Sequence, residues 1–399
     1  MISGYSPNSG RGAETTQLYV KELLNHNCVD SVTILSNISK GALNEEKDGD
    51  IKIVRVWSPN SWRCIFNIPY EVIRRQCDIY HIAYGYLFYG GPLFSTISIL
   101  FTLFTLKVMR KPTVLTIHQV FPINTINKEF RKTFLTKIPT LFIKIGFIII
   151  NKVISLLTSR IVTLHNRHNE ILKEGYGVKN TVMIPMGLVS RATHLKEEAK
   201  KKLGLSGKNV LLVYGFITQY KGVEYAISAM PLILEHEPNS VLIIAGSIMP
   251  SISHSQEAQE YIKQLKRSTE KMRKEGYIMM NNSYIPDELV DLYFSSADVV
   301  ILPNIKQSGP SEILTQSYLS KIPLVATNID YFRSDVINYV TGLLIPPKDS
   351  ESLSKAVVKI LRDENLRKNV TSNIEKFASD SNIINVAKKL VNLYKQLDG

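Results

Sequence analysis

A lysine lies between a strand-like segment and a predicted helix in the second half of the chain. The apolar run NVLLVYG ends in Gly215, and the loop FITQYKG then brings Lys221 to the start of VEYAISAMPLILEH, whose apolar residues recur at helical spacing. A lysine ammonium beside the free backbone N–H groups of a helix N-terminus forms a cationic site that suits a diphosphate. A solvated loop lysine explains the same segment equally well.

A second strand-like segment with a polar helix start follows later in the chain. ADVVILP leads into a turn with Ser308 and Gly309, after which Ser311 opens a predicted helix that carries Glu312 and Gln316. The last two residues are four positions apart and therefore fall on one helix face. The turn predicts further N–H groups for phosphate oxygens, whereas a plain capped helix is the simpler explanation of this segment alone.

The first half of the chain offers a glycine-rich turn and a histidine at a strand end. The turn SPNSGRGAETT contains Gly10, Arg11 and Gly12, and it lacks the third glycine of a dinucleotide-binding fingerprint. His118 ends the strand-like run TVLTIH, at the edge where open α/β sheets bind ligands. We expect the turn to approach a phosphate or an acceptor, and His118 to donate to a hydroxyl or a phosphate. An ordinary turn and a structural histidine are the alternatives.

The sequence does not indicate a metal site or a bound cofactor. The three cysteines form no C-x-x-C pair, which argues against a cysteine zinc site and favours a reducing compartment. His165 and His168 are one helical turn apart without a third ligand nearby, so we expect them to cap a helix or to contact solvent. The Asp48-Gly49-Asp50 segment is explained by a turn. No nucleophile-elbow, P-loop or H-E-x-x-H motif occurs.

Composition and charge narrow the class of protein and its partners. The 399 residues are 44% hydrophobic and 21% charged, which is typical of a globular protein, and this length suggests two domains. Lys and Arg number 48 against 35 Asp and Glu, a net charge of +13 that attracts phosphorylated ligands, anionic lipid or nucleic acid. We expect no nucleic acid, because an interleaved aromatic and basic motif and a helix-turn-helix signature are both missing.

Two apolar segments of the first half bear on membrane contact. Residues 82–106 carry no charge, and residues 138–158 are strongly apolar, with Lys144 and Lys152 among them and further cations just ahead. The first segment is long enough to span a bilayer, but Gly90-Gly91-Pro92 and the strand-like run beside it favour a helix packed next to a sheet. Two interpretations stay open: helices at an anionic membrane interface, or buried helices with lysines that reach the surface.

Strand-like runs alternate with amphipathic stretches along the chain, which predicts an α/β fold with helices on both faces of parallel sheets. The pattern occurs twice, on either side of the lysine-rich stretch SRATHLKEEAKKKLGLSGKN. We predict one domain over residues 1–194, a second over 195–381, and a helix over 382–399 that packs back on the first domain. Only Met1-Ile2-Ser3 precedes the glycine-rich turn, so the first strand is either very short or truncated.

Taken together, these segments resemble the retaining glycosyltransferases of family 4, the glycosyl transferases group 1. The resemblance runs through the GRGAETT opening, PTVLTIH, the IPMG turn, GFITQYKGVEYAI, VLIIAGS and IPDELVDLYFSSADVVILP, and it is most specific in the last third of the chain. It implies the GT-B fold: two Rossmann-like, doubly wound domains that face a cleft, with the acceptor on the first domain and the nucleotide-sugar on the second.

The resemblance also implies an activity and roles for particular residues. The activity is transfer of a sugar from a nucleotide diphosphate to a glycan or lipid-linked acceptor, with retention at the anomeric carbon and without a metal. The nucleotide-sugar is a co-substrate, and no cofactor is implied. Lys221 matches the phosphate-contacting lysine, whose charge stabilises the leaving diphosphate, and Gly215 and the Ser308–Ser311 turn lie with it on the donor side. His118 matches a histidine near the donor sugar, and the glycine-rich turn matches a loop near the reacting centre.

The chain departs from the family pattern at two places. Ser308 and Gln316 stand where the family usually has two glutamates, and Phe216 or Thr218 stands where an arginine often precedes the lysine. Gln316 can still accept a hydrogen bond from a ribose hydroxyl, and Glu312 would substitute in part. These departures keep open a weak or inactive homologue that binds a glycan or acts as a scaffold. For the enzyme, we expect a cytoplasmic protein, peripheral at the inner face of the cell membrane.

Overall fold

The computed structural model describes residues 1–4, 11–26, 28–38, 43–58, 61–86, 88–89, 91–133, 138–249, 253, 255–307 and 309–398. The chain divides into two compact units. The first unit joins Met1–Gly187 to Ile383–Gly399, and the second spans Leu188–Asn382. Each unit contains its own sheet and its own hydrophobic core.

The first unit contains strands and helices in alternation. In chain order they are α1 (Arg11–Leu24), β1 (Val32–Asn37), β2 (Glu45–Asp48), β3 (Ile51–Trp57), α2 (Cys64–Arg74), β4 (Tyr80–Tyr84), α3 (Pro92–Val108), β5 (Thr113–Ile117), α4 (Lys128–Thr133), α5 (Thr140–Leu157), β6 (Arg160–Thr163), α6 (Asn166–Glu170), β7 (Thr181–Met183) and, from the C-terminal segment, α15 (Ile383–Asp398).

The sheet of the first unit is mostly parallel. Its strands follow the orders β2-β3-β1 and β4-β5-β6-β7, with β2 antiparallel to β3. Met1-Ile2-Ser3 lies between the two groups, where Ile2 pairs in parallel with Leu35 of β1 and with Ile82 of β4. The Ile2 N–H donates to the His81 carbonyl at 2.8 Å, and the Ile2 carbonyl accepts from Ala83 at 2.9 Å. A very short first strand therefore joins the two groups of strands.

The second unit has the same alternation. Its elements are α7 (Lys196–Lys202), β8 (Asn209–Tyr214), α8 (Val223–His236), β9 (Ser240–Ala245), α9 (Gln256–Lys274), β10 (Ile278–Asn281), α10 (Asp287–Ser296), β11 (Val299–Leu302), α11 (Glu312–Leu319), β12 (Leu324–Thr327), α12 (Asp330–Asp335), β13 (Leu343–Ile345), α13 (Ser350–Arg362) and α14 (Glu364–Ala378). The six strands are parallel in the order β10-β9-β8-β11-β12-β13, with apolar clusters on both faces of the sheet.

The lysine-rich stretch that separates the two strand sets is not a free linker. It contains α7, which packs against α10. The buried Lys200 forms an ion pair with Asp298, with 2.8 Å between Nζ and the carboxylate oxygen. Asp298 also accepts from the Val210 N–H at 2.8 Å, so one carboxylate holds α7 at the start of β8. This ion pair places α7 inside the second unit, and the division falls at Gly187, ahead of the predicted residue 195.

The helix predicted at the C-terminus, α15, belongs to the first unit. It packs against α1 and buries Val386 and Leu390. The Tyr394 hydroxyl forms a hydrogen bond with His81 Nδ1, and the two rings meet edge-on with their centres 5.8 Å apart. The last helix of the chain is therefore a structural part of the first unit.

The β-branched pattern predicts eleven of the strands but not β2 and β10. Strand β2 has the polar sequence EEKD, lies at the edge of the sheet and is largely exposed. It is joined to β3 by the Gly49-Asp50 turn, in which Gly49 has a φ of +58°. This hairpin accounts for the Asp48-Gly49-Asp50 segment as the expected turn. Strand β10, of sequence IMMN, is short and lies at the edge of the second sheet.

The two apolar segments form α3 and α5. Helix α3 buries Ile99, Leu103 and Leu106 completely, as expected for a helix packed beside a sheet. Helix α5 is long and apolar enough to cross a membrane by length and composition, and only 11% of its residues are buried. Each helix therefore packs one side on the core and exposes the other: in α5, Ile154 is buried, whereas Leu141 and Leu156 are exposed.

Candidate functional site

The two segments with polar helix starts meet in the middle of the second unit's sheet. Strands β8 and β11 are neighbours, and the chain adds β9 and β10 on one side of this pair and β12 and β13 on the other. Such a reversal of strand order leaves a crevice at the carboxyl ends of the central strands, where open α/β sheets bind ligands. The Ile305 N–H donates to the Tyr220 carbonyl at 2.8 Å. This bond ties the loop after β11 to the loop that carries Lys221.

Lys221 lies directly before α8. It ends a 3-10 turn, Gln219–Lys221, and Gly222 then leads the chain into the helix. The side chain is half-buried, and its Nζ lies 6.0 Å from the centre of the Tyr220 ring. Lys221 lines a pocket at the strand ends together with Gly215. An anion at this position would meet both the ammonium and the positive end of a 14-residue helix.

Two glycines let the backbone segments of this pocket approach each other, and a third has a backbone conformation that favours glycine. A Cβ on Gly222, whose φ is +63°, would lie 2.3 Å from the Pro303 carbonyl oxygen. A Cβ on Gly246, whose φ is +151°, would lie 1.8 Å from the Gly215 carbonyl oxygen. Gly215 itself has a φ of +115° and room beside it. Glycine is therefore required at Gly222 and Gly246 because of contact, and is favoured at Gly215 because of backbone conformation.

The loop after β11 is held by side-chain amides. Asn304 is buried and donates through Nδ2 to Gln307 Oε1 at 2.9 Å, and Gln307 Nε2 donates to the Gly309 carbonyl at 3.0 Å. The Thr327 hydroxyl donates to the Asn304 carbonyl at 2.6 Å. These bonds fix the turn at Gly309 in front of α11. Ser308, the other residue predicted for this turn, lies outside the described residues.

Helix α11 opens with a conventional cap. Ser311 is buried, and its hydroxyl accepts from the Leu314 N–H at 3.3 Å, as the capped-helix interpretation predicts. Glu312 stands in the first turn of the helix. Gln316 is buried, and its Nε2 donates to the Ser320 hydroxyl at 3.2 Å. The expectation that Gln316 or Glu312 meets a ribose stays a prediction.

Several residues in or beside this pocket were not predicted from the sequence as site residues. These are Gly222, Gly246, Asn304, Gln307 and Thr218. The two glycines had a readable signal, since each directly follows a strand end or a loop lysine. Nothing in the sequence indicates that the buried Thr218 hydroxyl would lack a hydrogen-bond partner among the residues that the structure describes. The role of Asn304 depends on its contact with Gln307, which appears only in the folded loop.

In the first unit, His118 follows β5 at the carboxyl edge of the sheet, as expected. Its N–H donates to the Tyr84 carbonyl at 2.9 Å, which fixes the backbone next to the end of β4. The half-buried imidazole packs against the Phe88 ring, with the ring centres 4.9 Å apart. Burial lowers the pKa of His118 to about 4, so its imidazole is neutral at pH 7. A neutral imidazole offers one donor and one acceptor nitrogen.

Three other histidines have structural positions. His165 caps α6, because its Nδ1 accepts from the Arg167 N–H at 2.9 Å, which confirms the expected helix cap. His168 is completely buried rather than exposed to solvent, and burial lowers its pKa to about 3. His81 is buried between Tyr394 and the Thr116 hydroxyl, which lies 2.6 Å from His81 Nε2. Burial likewise lowers the pKa of His81 to about 3.

The low pKa of His81 predicts loss of stability in acid. An unfolded histidine titrates near 6.5, whereas folded His81 stays neutral down to about 3. Its contribution is therefore present above pH 6.5 and is lost as the pH falls, by about 1.4 kcal/mol per pH unit. Between pH 6.5 and pH 5.0, wild type should lose about 2 kcal/mol more unfolding free energy than His81→Gln. Urea unfolding followed by circular dichroism measures this difference. His236→Gln, which replaces an exposed histidine, is the control and should lose as much unfolding free energy as wild type. An equal loss in wild type and His81→Gln would contradict the prediction.

The remaining predicted residues lie near or outside the described part of the chain. Gly10 is outside it, and Arg11 and Gly12 form the start of α1, where the Arg11 side chain is not described. The role of this turn stays a prediction. Among the described residues, no group of three or more His, Cys, Asp or Glu side chains could hold a metal ion.

The second unit matches a known family in sequence. Residues 196–377 match the family model described as glycosyl transferases group 1. An uncharacterised glycosyltransferase of Methanocaldococcus jannaschii is 30% identical over 194 residues, which cover 47% of this chain and 45% of that protein. The UDP-Gal:alpha-D-GlcNAc-diphosphoundecaprenol alpha-1,3-galactosyltransferase of Escherichia coli is 26% identical over 248 residues, which cover 59% of this chain and 60% of the relative. The chain spans about half the length of the curated relatives it matches.

A solved structure resembles both units. HepE of Anabaena, solved in complex with UDP, is similar with a TM-score of 0.70 over 99% of each chain and is 14% identical in sequence. A likeness at this identity shows the fold alone. Residues 196–377 of the second unit are therefore similar to the glycosyl transferases group 1, and the chain as a whole has the GT-B fold of two Rossmann-like α/β domains, as the sequence predicts.

Proposed function

We propose that this protein is a glycosyltransferase that moves a sugar from a nucleotide diphosphate to a glycan or lipid-linked acceptor, with retention at the anomeric carbon and without a metal. The observation that carries the proposal is the arrangement at the strand-order reversal of the second unit. Lys221, the close-packed Gly222 and Gly246, and the capped start of α11 converge there. The match of this unit to the glycosyl transferases group 1 supports the same conclusion.

The donor diphosphate is proposed to lie at the N-termini of α8 and α11. Lys221 supplies a full positive charge there, and the turn at Gly309 supplies backbone N–H groups. The E. coli relative is named for a UDP-galactose donor, and HepE binds UDP, so a UDP-sugar is the first donor to test.

In the proposed reaction, the bond between the anomeric carbon and the diphosphate oxygen breaks while the acceptor hydroxyl oxygen bonds to the same face of the sugar. The acceptor proton passes to the departing diphosphate. Negative charge grows on the leaving oxygen, and the Lys221 ammonium and the two helix N-termini stabilise it. These groups would perform the electrostatic role that a metal ion performs in other transferases.

His118 is proposed to hydrogen-bond a hydroxyl of the transferred sugar through its neutral imidazole. His118→Ala should lower kcat/KM by about 100-fold, whereas His118→Gln, which keeps a donor, should lose less. Because the pKa of His118 lies at about 4, the ratio of wild-type to His118→Ala kcat/KM should stay constant between pH 5.5 and pH 8. A ratio that changes around pH 6.5 would show that this imidazole titrates normally and would contradict the assignment.

We propose further that the enzyme is cytoplasmic and acts at the inner face of the cell membrane. The exposed apolar helix α5 supports membrane contact, and the name of the E. coli relative specifies a diphosphoundecaprenol acceptor. A lipid-linked acceptor is therefore the first acceptor class to test.

The proposal is tested by a screen of UDP-, GDP- and ADP-sugars for hydrolysis and for transfer to undecaprenyl-diphosphate-linked sugars. We expect turnover with one donor class, together with an increase in thermal stability on adding the matching nucleoside diphosphate. The absence of both turnover and nucleotide binding with every donor would overturn the proposal.

A second candidate function is that of a weak or inactive homologue that binds a glycan or acts as a scaffold. The observation that favours it is Gln316, a neutral amide engaged with Ser320 at a position where the family usually has a glutamate. This protein would gain thermal stability with a nucleotide or a glycan and yet release no nucleoside diphosphate from any sugar donor. If the missing glutamate charge is the cause of the low activity, Gln316→Glu should raise turnover.

A further inference from the structure

Three neighbouring helices of the first unit expose apolar side chains at helical spacing. Helix α3 shows the clearest stripe, in which five exposed residues recur three or four positions apart. Segment 62–74, which includes α2, and helix α5 carry similar stripes. The exposed residues are Trp62, Phe66, Tyr70 and Ile73 of segment 62–74, Leu93, Ile97, Phe101, Phe104 and Val108 of α3, and Leu141, Phe142, Ile145, Ile149 and Leu156 of α5. We call this surface the apolar face.

The apolar face is continuous from segment 62–74 to α3, and α5 lies beside α3. Helix α2 packs against α3, and α3 packs against α5. The Phe66 ring lies edge-on to Phe101 of the neighbouring helix, with the ring centres 6.0 Å apart, and Trp62 lies at the same distance from Phe66. A soluble monomer rarely exposes a contiguous apolar surface of this extent, and such a surface marks a protein or membrane contact.

The exposure is not caused by an unfilled core. On the opposite side of α3, Ile99, Leu103 and Leu106 are completely buried, together with Ser98 and Thr102. The hydroxyl groups on this buried side are bonded, since Thr102 donates to the Ser98 carbonyl at 2.7 Å. Helix α3 therefore has a satisfied inner side and a separate outer stripe that is available to a partner.

The charge around the apolar face indicates which partner fits. Residues 79–169 contain eleven Lys and Arg and a single Asp or Glu, a net charge of +10 out of the +13 of the whole chain. Lys107 and Arg110 are exposed at the end of α3, and Lys152 is exposed on α5. Within the described residues, none of these three cations forms an ion pair with a carboxylate.

An anionic bilayer meets both properties of this surface, whereas a second copy of the chain does not. A symmetric dimer would bring the two positively charged segments together, which is unfavourable. At a bilayer, apolar side chains enter the acyl boundary while lysine and arginine reach the anionic headgroups. We propose that the apolar face is the site at which this protein docks on an anionic membrane, with α3 and α5 lying along the membrane plane.

The docking face also places the membrane next to His118. The stripe of α3 begins at Leu93, shortly after Phe88, which is 42% exposed and packs on the His118 ring. A lipid-held acceptor would thus lie with its headgroup close to the carboxyl edge of the first unit's sheet. This last step rests on the proposed glycosyltransferase function, whereas the docking itself does not.

The docking is tested by flotation of the full chain with vesicles. Wild type should bind vesicles of phosphatidylglycerol and phosphatidylethanolamine at least 10-fold more tightly than vesicles of phosphatidylcholine, and less tightly as salt is raised. Phe101→Ser combined with Phe104→Ser should weaken binding to the anionic vesicles by at least about 10-fold. Lys107→Gln combined with Arg110→Gln should weaken it as well and reduce its salt dependence.

A matched control comes from the second unit. Tyr284 and Leu195 are 77% and 71% exposed, so Tyr284→Ser combined with Leu195→Ser removes comparable exposed apolar area from the second unit. This control should bind like wild type. Thermal unfolding should show every variant folded, with at most a modest loss of stability in Phe101→Ser/Phe104→Ser, where the ring contact of Phe101 with Phe66 is removed. Equal vesicle binding by wild type and Phe101→Ser/Phe104→Ser would overturn the proposal. A second result would also overturn it: wild type does not bind vesicles, light scattering shows that it is a dimer, and Phe101→Ser/Phe104→Ser is a monomer.

Nucleotide binding separates this inference from the proposed function. Stabilisation by UDP, measured without vesicles, should be the same in wild type and in Phe101→Ser/Phe104→Ser. Vesicle binding without any nucleotide effect or turnover would overturn the glycosyltransferase function and leave the docking intact. Turnover on a soluble acceptor without vesicle binding would overturn the docking and leave the function intact.

Discussion

Lys221→Ala is expected to lower the rate of sugar transfer by about 100-fold or more, because a preorganised charge beside a leaving group contributes about 3–4 kcal/mol to catalysis. The ammonium lies at the start of α8, where the bound diphosphate is proposed to gain charge in the transition state. The loss should fall mainly on kcat, since the charge on the leaving oxygen grows during the reaction. Steady-state kinetics with the donor found in the screen measure the separate changes in kcat and KM.

Two variants sharpen the interpretation of this result. Lys221→Arg keeps the positive charge but changes its geometry, so it should retain more activity than Lys221→Ala. Lys201→Ala, which removes an exposed lysine of α7, should leave kcat unchanged. A value of kcat in Lys221→Ala within a factor of three of wild type, with intact folding, would remove Lys221 from the mechanism.

Gly222→Ala is expected to destabilise the second unit far more than a glycine replacement of similar backbone conformation. Its Cβ would lie 2.3 Å from the Pro303 carbonyl oxygen, so the loop after β8 and the loop after β11 must move apart. We expect a loss of about 3 kcal/mol or more in unfolding free energy, and loss of stabilisation by the nucleotide because Lys221 moves with the loop.

Gly207 provides the matched control for this prediction. Its φ of +72° resembles the +63° of Gly222, but a Cβ there meets no atom within 4 Å. Gly207→Ala should therefore cost only the backbone strain of a left-handed alanine, about 1 kcal/mol, and should leave nucleotide binding unchanged. Urea unfolding and nucleotide thermal shifts compare the two variants. Equal losses would show that the contact with Pro303 is relieved at little cost.

Most elements of the fold follow from local pattern. Buried parallel strands require continuous β-branched runs, and eleven such runs appear as strands. The pattern fails at β2, whose polar residues are held only by pairing with β3 at an exposed edge. Local pattern also does not show how α7 is held, because the lysine-rich stretch around it has the composition of a linker and yet the helix docks through the Lys200–Asp298 ion pair. In both cases a partner distant in sequence outweighs local composition.

The candidate site was predictable in its residue types and less so in its construction. Lys221 and Ser311 stand out because each precedes an apolar-periodic helix after a strand. Their proximity depends on β8 lying next to β11, which is a property of strand order. The requirement for glycine at Gly222 arises from the Pro303 carbonyl, about eighty residues further along the chain. Sequence spacing contains no information about such a contact.

The sequence by itself determined the fold class, the repeat of two α/β units and the residue types of the candidate site, because these depend on local periodicity and residue type. Only the tertiary structure decided which side of each apolar helix is covered. Hydrophobicity alone left α5 as either a core helix or an interfacial one, and in the fold one side of α5 packs on the core while Leu141, Ile149 and Leu156 stay exposed. Burial is set by neighbours that lie far away in sequence, and for that reason only the folded chain shows which side chains of an apolar helix are covered and which are exposed.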